Sequence, residues 1–466
     1  MSDTTTAEEQ QAQAISNRKQ PFPQGFLDTI GEGWADRTAP AAGEREQATY
    51  AATRRAAVSA AFSGQRLVVP AGSLKQRSND TDYPFRAHSA FSHLTGWGSD
   101  AEPDSVLVFE PTDDGHDVTL YFRERADRAT AEFYSDASIG EFWIGPRPSL
   151  DAVAADLGIA TAHVDAFEAR EGDLVVDDDP ELTRFVSELR LVKDAYEVAQ
   201  LRLAVDVTAR GFDDIIRELP RVIEHPRGER IIEGVFHQRA RSDGNWEGYD
   251  TIAAAGPHAC YLHWTRNDGR VVPGDLVLID AGVEVDSLYT ADITRTLPVN
   301  GTFSPVQRRV YEAVREAADA AFAAARPGVP FRTVHEAAME VIAARTAEWG
   351  LLPVTAQEAL DADRGGQHRR YMVHGTSHHL GIDVHDCAAA RREMYYDGIL
   401  EPGMVFTIEP GLYFQIDDLT VPEEYRGIGV RIEDDILMTA DGPVNLSAAI
   451  PRTADEVEAW IARLSH

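Results

Sequence analysis

LVLIDAGVEVDSLYTADITRT, residues 276–296, ends one apolar run on Asp280 and opens another at Asp292, after a short turn region. Such runs read as paired strands. Farther on, VFTIEPGLY (405–413) and GVRIEDDIL (429–437) hold Glu409 and Glu433 in comparable places, a weak internal duplication. Because side chains alternate along a strand, four carboxylates at these positions can face a common floor where two β-ribbons meet. Taken singly, an Asp before Ala-Gly is an ordinary turn residue. Taken together the acids favour metal ligation, since Glu409 and Glu433 interrupt apolar segments where an unpaired carboxylate is costly. With His378 they form a five-ligand set from three distant segments. Four carboxylates carry a formal charge of about −4 and could not stay ionised in a pocket without cations, which two divalent ions would balance. Oxygen-rich ligation with one imidazole suits Mn, Fe, Co or Zn better than a thiolate-loving metal.

The segment HGTSHHLGIDVHD (374–386) is dense in His374, His378, His379 and His385. His374 and His378 are spaced to share a helical face, yet Gly375 stands where an HExxH metalloprotease carries its general base, so that motif is rejected. A G-x-S-x-G elbow around Ser377 fails because His379 replaces its last Gly. One of these histidines as ligand and two as outer or substrate-contacting groups is the economical reading, with His379 structural. His263 in YLHWTRN (261–267) follows a short apolar segment, and its rank depends on what surrounds it. Arg431 is placed to pair with the acids and hold them oriented.

The chain has 466 residues, with 44 Lys plus Arg against 77 Asp plus Glu, a net charge of −33. Such a surface repels phosphate backbones and anionic membranes, so neither nucleic acid nor a membrane is expected as a partner. Cys260 and Cys387 form no CxxC pair, which suggests a reducing compartment, two small buried residues and no zinc finger. The polar N-terminus has no apolar h-region and no window approaches the roughly 18 apolar residues of a span, so a cytoplasmic protein is expected. Residues 1–38 are expected as a mobile tail, 39–185 as a first α/β domain and 186–466 as a second domain. In the first, a helix from about Glu44 is followed by β-like runs at 67–69, 106–109 and 118–122. In the second, a periodic helix begins near Lys193, Ser304-Pro305-Val306-Gln307 is a capping box, and a later helix carries Val334, Ala338 and Val341 before Gly350.

LHWTRND, GDLVLIDAG, TADITRTLPVNG, HGTSHHLGIDVHD, EPGMVFTIEPGLY and GIGVRIEDDIL, with DYPFRAHSAFSHLTGW (82–97) in the first domain, resemble the Xaa-Pro aminopeptidases (aminopeptidase P). These are pita-bread metallopeptidases akin to prolidase and methionine aminopeptidase. The resemblance implies an α+β or α/β chain with a creatinase-like N-terminal α/β domain and a C-terminal pita-bread catalytic domain. It implies that Asp280 binds one metal, that Asp292 and Glu433 span both, and that His378 and Glu409 bind the other, as two divalent ions, usually Mn²⁺. It further implies that His263, His374 and His385 contact substrate, with Arg431 in support, in a homodimer or homotetramer. Departures lie at Ser92 and in CAAARREMYYDG (387–398), and bear on subsite preference.

From the ligand set, two ions sharing a water would lower its pKa and polarise the scissile carbonyl, so that a metal-bridging hydroxide attacks. Glu409 is expected to move the proton and His374 to stabilise the oxyanion. Peptides with proline second are the expected substrates. The alternatives are an Xaa-Pro dipeptidase (prolidase) with the same metals, and a pita-bread binding module that has lost catalysis.

Overall fold

Apolar runs of β-branched residues become strands here, and helices capped by short polar side chains cover them. In a computed structural model, residues 22–37, 43–79 and 81–465 are described. The chain divides into two units, Met1–Leu182 and Thr183–His466.

The first unit opens with residues expected as tail. Its first 21 lie outside the described residues, but the next carry a one-turn helix, Gln24–Leu27, and Phe26 and Ile30 pack against Ala126, Phe133 and Tyr134. Aromatic side chains at these positions bury against one another, which a reading by polarity of the first 20 residues does not anticipate. Helix α1, Gln47–Ala61, buries Ala48, Ala51 and Val58. It flanks strands β1 (Leu67–Pro70), β2 (Val106–Thr112), β3 (Gly115–Phe122), β4 (Ala160–His163) and β5 (Leu174–Val175), ordered β4-β3-β2-β1-β5. The three expected runs fall in β1, β2 and β3. β4 and β5 escape a sequence reading because ATAH and LV are too short to show a period of two.

In the second unit, α2 (Ala195–Glu224) starts at Asp194, whose side chain accepts from the Glu197 N–H while Glu197 reaches back in a full capping box. Helix α3 (Gly228–Asp243) packs along it. Strands β6 (Ile252–Ala255), β7 (Leu276–Ala281) and β8 (Ile293–Pro298) form one antiparallel sheet, ordered β8-β7-β6. Helix α4 (Pro305–Ala324) carries the expected capping box at Ser304 and Gln307. Helix α5 (Arg332–Glu348) buries Val334, Ala338 and Ile342, while the expected Val341 is only half-buried. Four residues after Ala338 is closer to a whole turn than three, so Ile342 returns to the core. Gly350, at φ +71°, closes the helix as expected. Strands β9 (Val405–Ile408), β10 (Gly411–Tyr413), β11 (Gly429–Arg431), β12 (Asp434–Thr439) and β13 (Gly442–Asn445) complete the unit. They pair as a β9-β12-β13 sheet and a β10-β11 ribbon, followed by helix α6 (Ala454–Leu464). Residues 374–386 are not helical, so His374 and His378 do not share a helix face. Cys260 and Cys387 are both buried and free. Among the described residues, no helix is long and apolar enough to cross a membrane.

Candidate metal centre and catalytic cavity

Asp280 sits near the end of β7, opposite Thr294 on β8, and Asp292 immediately precedes β8. Glu409 follows β9 and Glu433 lies between β11 and β12. The two ribbons are tied at that point: the Glu433 N–H donates to the Thr294 carbonyl at 3.1 Å, and Thr294 Oγ1 donates to Glu433 Oε2 at 2.6 Å. His378 comes from a loop laced to β9, its N–H donating to Thr407 Oγ1 at 3.2 Å and its carbonyl accepting from the Thr407 N–H at 2.9 Å. One ligand atom each from Asp280, Asp292 and Glu433 lie within 4.8 Å of one another, as do those of His378, Glu409 and Glu433. The two trios meet at Glu433.

Burial and mutual repulsion oppose the ionisation of Asp292, Glu409 and Glu433 when no cation is present. Burial first, then neighbouring carboxylates, push Glu433 well above the ordinary range. Burial likewise raises Asp292, and takes Glu409 up to about 7 against the opposing pull of His378 and Arg431. Burial alone would lower His378, but Asp292 and Glu409 outweigh it and push it up to about 9. Its Nδ1 lies 3.1 Å from the His379 carbonyl, which leaves Nε2 facing Asp292 Oδ2 at 3.2 Å and Glu409 Oε1 at 3.7 Å. That is the orientation in which imidazole ligates a metal. Glu433 Oε1 is buried with no hydrogen-bond partner among the described residues, an orphaned oxygen that a divalent cation would satisfy. The donor set therefore fits the metal chemistry expected of it.

Arg431 is only 4% exposed, so it is no surface ion pair. Its guanidinium donates from Nη2 to Asp280 Oδ2 at 2.5 Å, from Nε to Thr294 Oγ1 at 3.1 Å and from Nη1 to Tyr413 Oη at 3.1 Å. Tyr413 Oη lies 2.8 Å from His374 Nε2, and His374 Nδ1 lies 2.6 Å from the Gly375 carbonyl. Gly411 makes this possible, because a Cβ there would collide with the Tyr413 hydroxyl. Burial, then Arg431, push His374 down to about 3, so its ring is neutral with both nitrogens engaged. The imidazoles of His263 and His385, by contrast, line the same cavity and make no hydrogen bond to a described residue. The His385 ring stands 4.1 Å from that of His378. One of its nitrogens also falls within 4.8 Å of ligand atoms of Asp292 and His378. His379, fully buried between Phe331 and Tyr395, is structural.

Three residues were missed by the motif reading. Tyr249 Oη lies 2.6 Å from Asp280 Oδ1 and 2.5 Å from Asp292 Oδ1, one hydroxyl between two carboxylates. Asp250, beside it, is exposed on the cavity wall, and Tyr413 links Arg431 to His374. Tyr413 ends a recognisable motif and was legible, whereas GYD at 248–250 carries no signal beyond a turn. The cavity holds about 630 Å³, with Ile252, Leu262 and Val384 as its apolar wall.

The family model for metallopeptidase family M24 matches residues 199–440, and that for the aminopeptidase P N-terminal domain matches residues 51–177. The chain is 51% identical to Xaa-Pro aminopeptidase 1 of Streptomyces coelicolor, over 98% of this chain and 96% of that protein. Among solved structures, aminopeptidase PepP of Pseudomonas aeruginosa aligns with a TM-score of 0.78 at 31% identity, covering 90% of this chain and 99% of that one. Zinc-substituted Escherichia coli aminopeptidase P, in complex with product, aligns at 0.76 and 30% identity, covering 90% and 99%. The expected pairing of a creatinase-like N-terminal domain with a C-terminal pita-bread domain agrees with these matches. A buried cluster of four carboxylates and one imidazole on two β-ribbons, in a chain so alike along nearly its whole length, identifies its kind: it belongs to metallopeptidase family M24, among the Xaa-Pro aminopeptidases.

Proposed function

We propose that this protein is a metal-dependent exopeptidase that releases the N-terminal residue of peptides whose second residue is proline. The observation that carries the reading is the pair of ligand trios meeting at Glu433 within one cavity. Asp280, Asp292 and Glu433 would hold one divalent ion, and His378, Glu409 and Glu433 the other, with Asp292 facing both. Carboxylate-rich ligation suits manganese, and two Mn²⁺ ions are our assignment. When bound, such ions acidify a water and polarise the scissile carbonyl.

The chain's own groups do the rest. Glu409, whose carboxylate lines the cavity, accepts the proton of the attacking water and returns one to the leaving proline nitrogen. His385 and His263 carry free ring nitrogens on the cavity wall and face the developing oxyanion, the role expected of His374. His374 instead holds Tyr413 and, through it, Arg431 in place. The exposed carboxylate of Asp250 on the cavity wall is our assignment for the group that reads the substrate's α-ammonium. Ile252, Leu262 and Val384 supply the apolar surface for a pyrrolidine ring that brings no N–H to satisfy.

The test is metal content by elemental analysis together with rates on Xaa-Pro-Yaa, Xaa-Pro and Xaa-Ala-Yaa peptides. Manganese-loaded protein is expected to cleave the first set, the second poorly and the third not at all. Faster cleavage of Xaa-Pro dipeptides would make the enzyme a prolidase, and inertness towards all three sets would sink the reading. The same reading takes a cytoplasmic homodimer or homotetramer, whose copy number light scattering measures.

Tyr249→Phe keeps the ring and removes the hydroxyl that bridges Asp280 and Asp292. Metal affinity is expected to fall about 10–100-fold, the usual effect of losing such an outer partner, read by titrating Mn²⁺ into stripped protein. An unchanged affinity would show that the hydroxyl does not orient the ligands.

A further inference from the structure

A second cavity of about 210 Å³ shares His374, Gly375 and Ser377 with the catalytic one. Apart from Thr376, its remaining wall is basic and aromatic: Arg332 and His335 from the first turns of α5, Arg369, Phe331 and Tyr396. The protein as a whole carries a charge of −33, so two arginines on the wall of one small cavity run against its general field. Helix α5 has no acidic residue in its first turn, and its positive end adds to the same sign. Arg332 is partly neutralised by Asp397 at 2.8 Å and Glu336 at 3.6 Å. Arg369 is exposed, gives one bond from Nη2 to the Val373 carbonyl at 2.9 Å, and has no ion-pair partner among the described residues. His335 Nδ1 faces Thr376 Oγ1 at 3.2 Å, and burial, followed by the charge of Arg369, holds the ring below its ordinary pKa. Gly375 lines both cavities, and a Cβ there would meet nothing within 4 Å.

We propose that this cavity is a carboxylate subsite, in which Arg369, backed by Arg332 and His335, binds an acidic group of the peptide held in the catalytic cavity. The proposal rests on the exopeptidase reading and adds a substrate preference to it. Its size admits one side chain or a chain terminus, and a guanidinium with unused donors matches a carboxylate in geometry and charge. The carboxylate has three possible sources: the side chain of the first residue, that of the third, or the C-terminus.

The experiment measures kcat/KM of the manganese-loaded full chain on three pairs of peptides. Glu-Pro-Ala-amide is compared with Gln-Pro-Ala-amide, Ala-Pro-Glu-amide with Ala-Pro-Gln-amide, and Ala-Pro-Ala with its amide. We expect an advantage of about tenfold for the acid in one pair, the pair naming the source, and its loss in Arg369→Gln. Arg370→Gln, altering the neighbouring arginine that is bound to Asp418, should keep the advantage. Turnover without a charge preference in any pair, or a preference that survives Arg369→Gln, overturns the subsite alone. An enzyme inert on all six peptides overturns the exopeptidase reading and the subsite with it.

Discussion

In Glu433→Gln, the rise in melting temperature that manganese confers on the wild-type protein is expected to vanish, while the metal-free variant melts where the metal-free wild type does. The reason lies in the charge state of an empty site. Glu433 is fully buried, and burial together with Asp292, Glu409 and Asp280 pushes its carboxyl well above the ordinary range, towards the neutral acid when no cation is present. Gln imitates that form in shape and charge, and little stability changes. With metal present the two proteins part. A ligand that binds only the folded state stabilises it by about 4 kcal/mol at a thousand times its Kd, and Glu433 belongs to both ligand trios. Its loss should lower affinity by more than the ~10–100-fold of an outer partner, and turnover at limiting metal with it. A full manganese-induced increment in the variant would remove Glu433 from the ligand set.

The pH dependence of the stripped protein follows from the same crowding. Glu409 is raised from 4.5 to about 7, so the folded state holds a proton that the unfolded chain has released. A raised carboxyl contributes stability that is present below its unfolded value and lost as pH climbs through its folded value. Metal-free protein should therefore lose stability between about pH 4.5 and 7, and bound cations should remove that loss by binding the ionised form.

Asp386→Ala is expected to cost about 3–5 kcal/mol in the unfolding of the second unit, because it takes the carboxylate from the buried Lys193 ammonium and leaves Arg190, among the described residues, only Asp383 at 3.3 Å. Asp386 is 1% exposed. Lys193 Nζ donates to its Oδ2 at 3.0 Å, and Arg190 Nε lies 3.0 Å from its Oδ1. Burial alone would raise this carboxyl, but Lys193 and Arg190 together hold it below the ordinary range. Gly381 gives the ion pair its room, since a Cβ there would run into the Asp386 carboxylate. Lys193→Met should cost less, as Asp386 keeps Arg190 and the new side chain fills the same volume. Urea denaturation of both variants checks the order. A cost below about 1 kcal/mol for Asp386→Ala would mean that water reaches the network and screens it. Asp386 directly follows His385, so the network also anchors the backbone of a histidine that lines the catalytic cavity.

The acids were legible because each broke a pattern. A carboxylate that ends or interrupts a buried strand is costly unless something binds it, and Asp280, Asp292, Glu409 and Glu433 each stand in that position. The capping boxes of α2 and α4 have a local cause, a short polar side chain reaching its own helix, but only the one at Ser304 was read. Less legible were the short strands β4 and β5, which have no room for periodicity, and the packing of Phe26 onto Tyr134, which needs a partner more than a hundred residues away. The spacing of His374 and His378 suggested a helix face that the backbone does not form.

The sequence by itself determined which acids and which imidazole mark the candidate metal centre, and with them the family, since these depend on local chemistry and on order along the chain. Only the tertiary structure decided that Tyr249 bridges two of the acids, that Arg431 is locked between Asp280 and Tyr413, and that His374 has both nitrogens occupied. Those are contacts between segments far apart in sequence, and which hydrogen-bond donor meets which acceptor there is set by strand register and burial rather than by any motif.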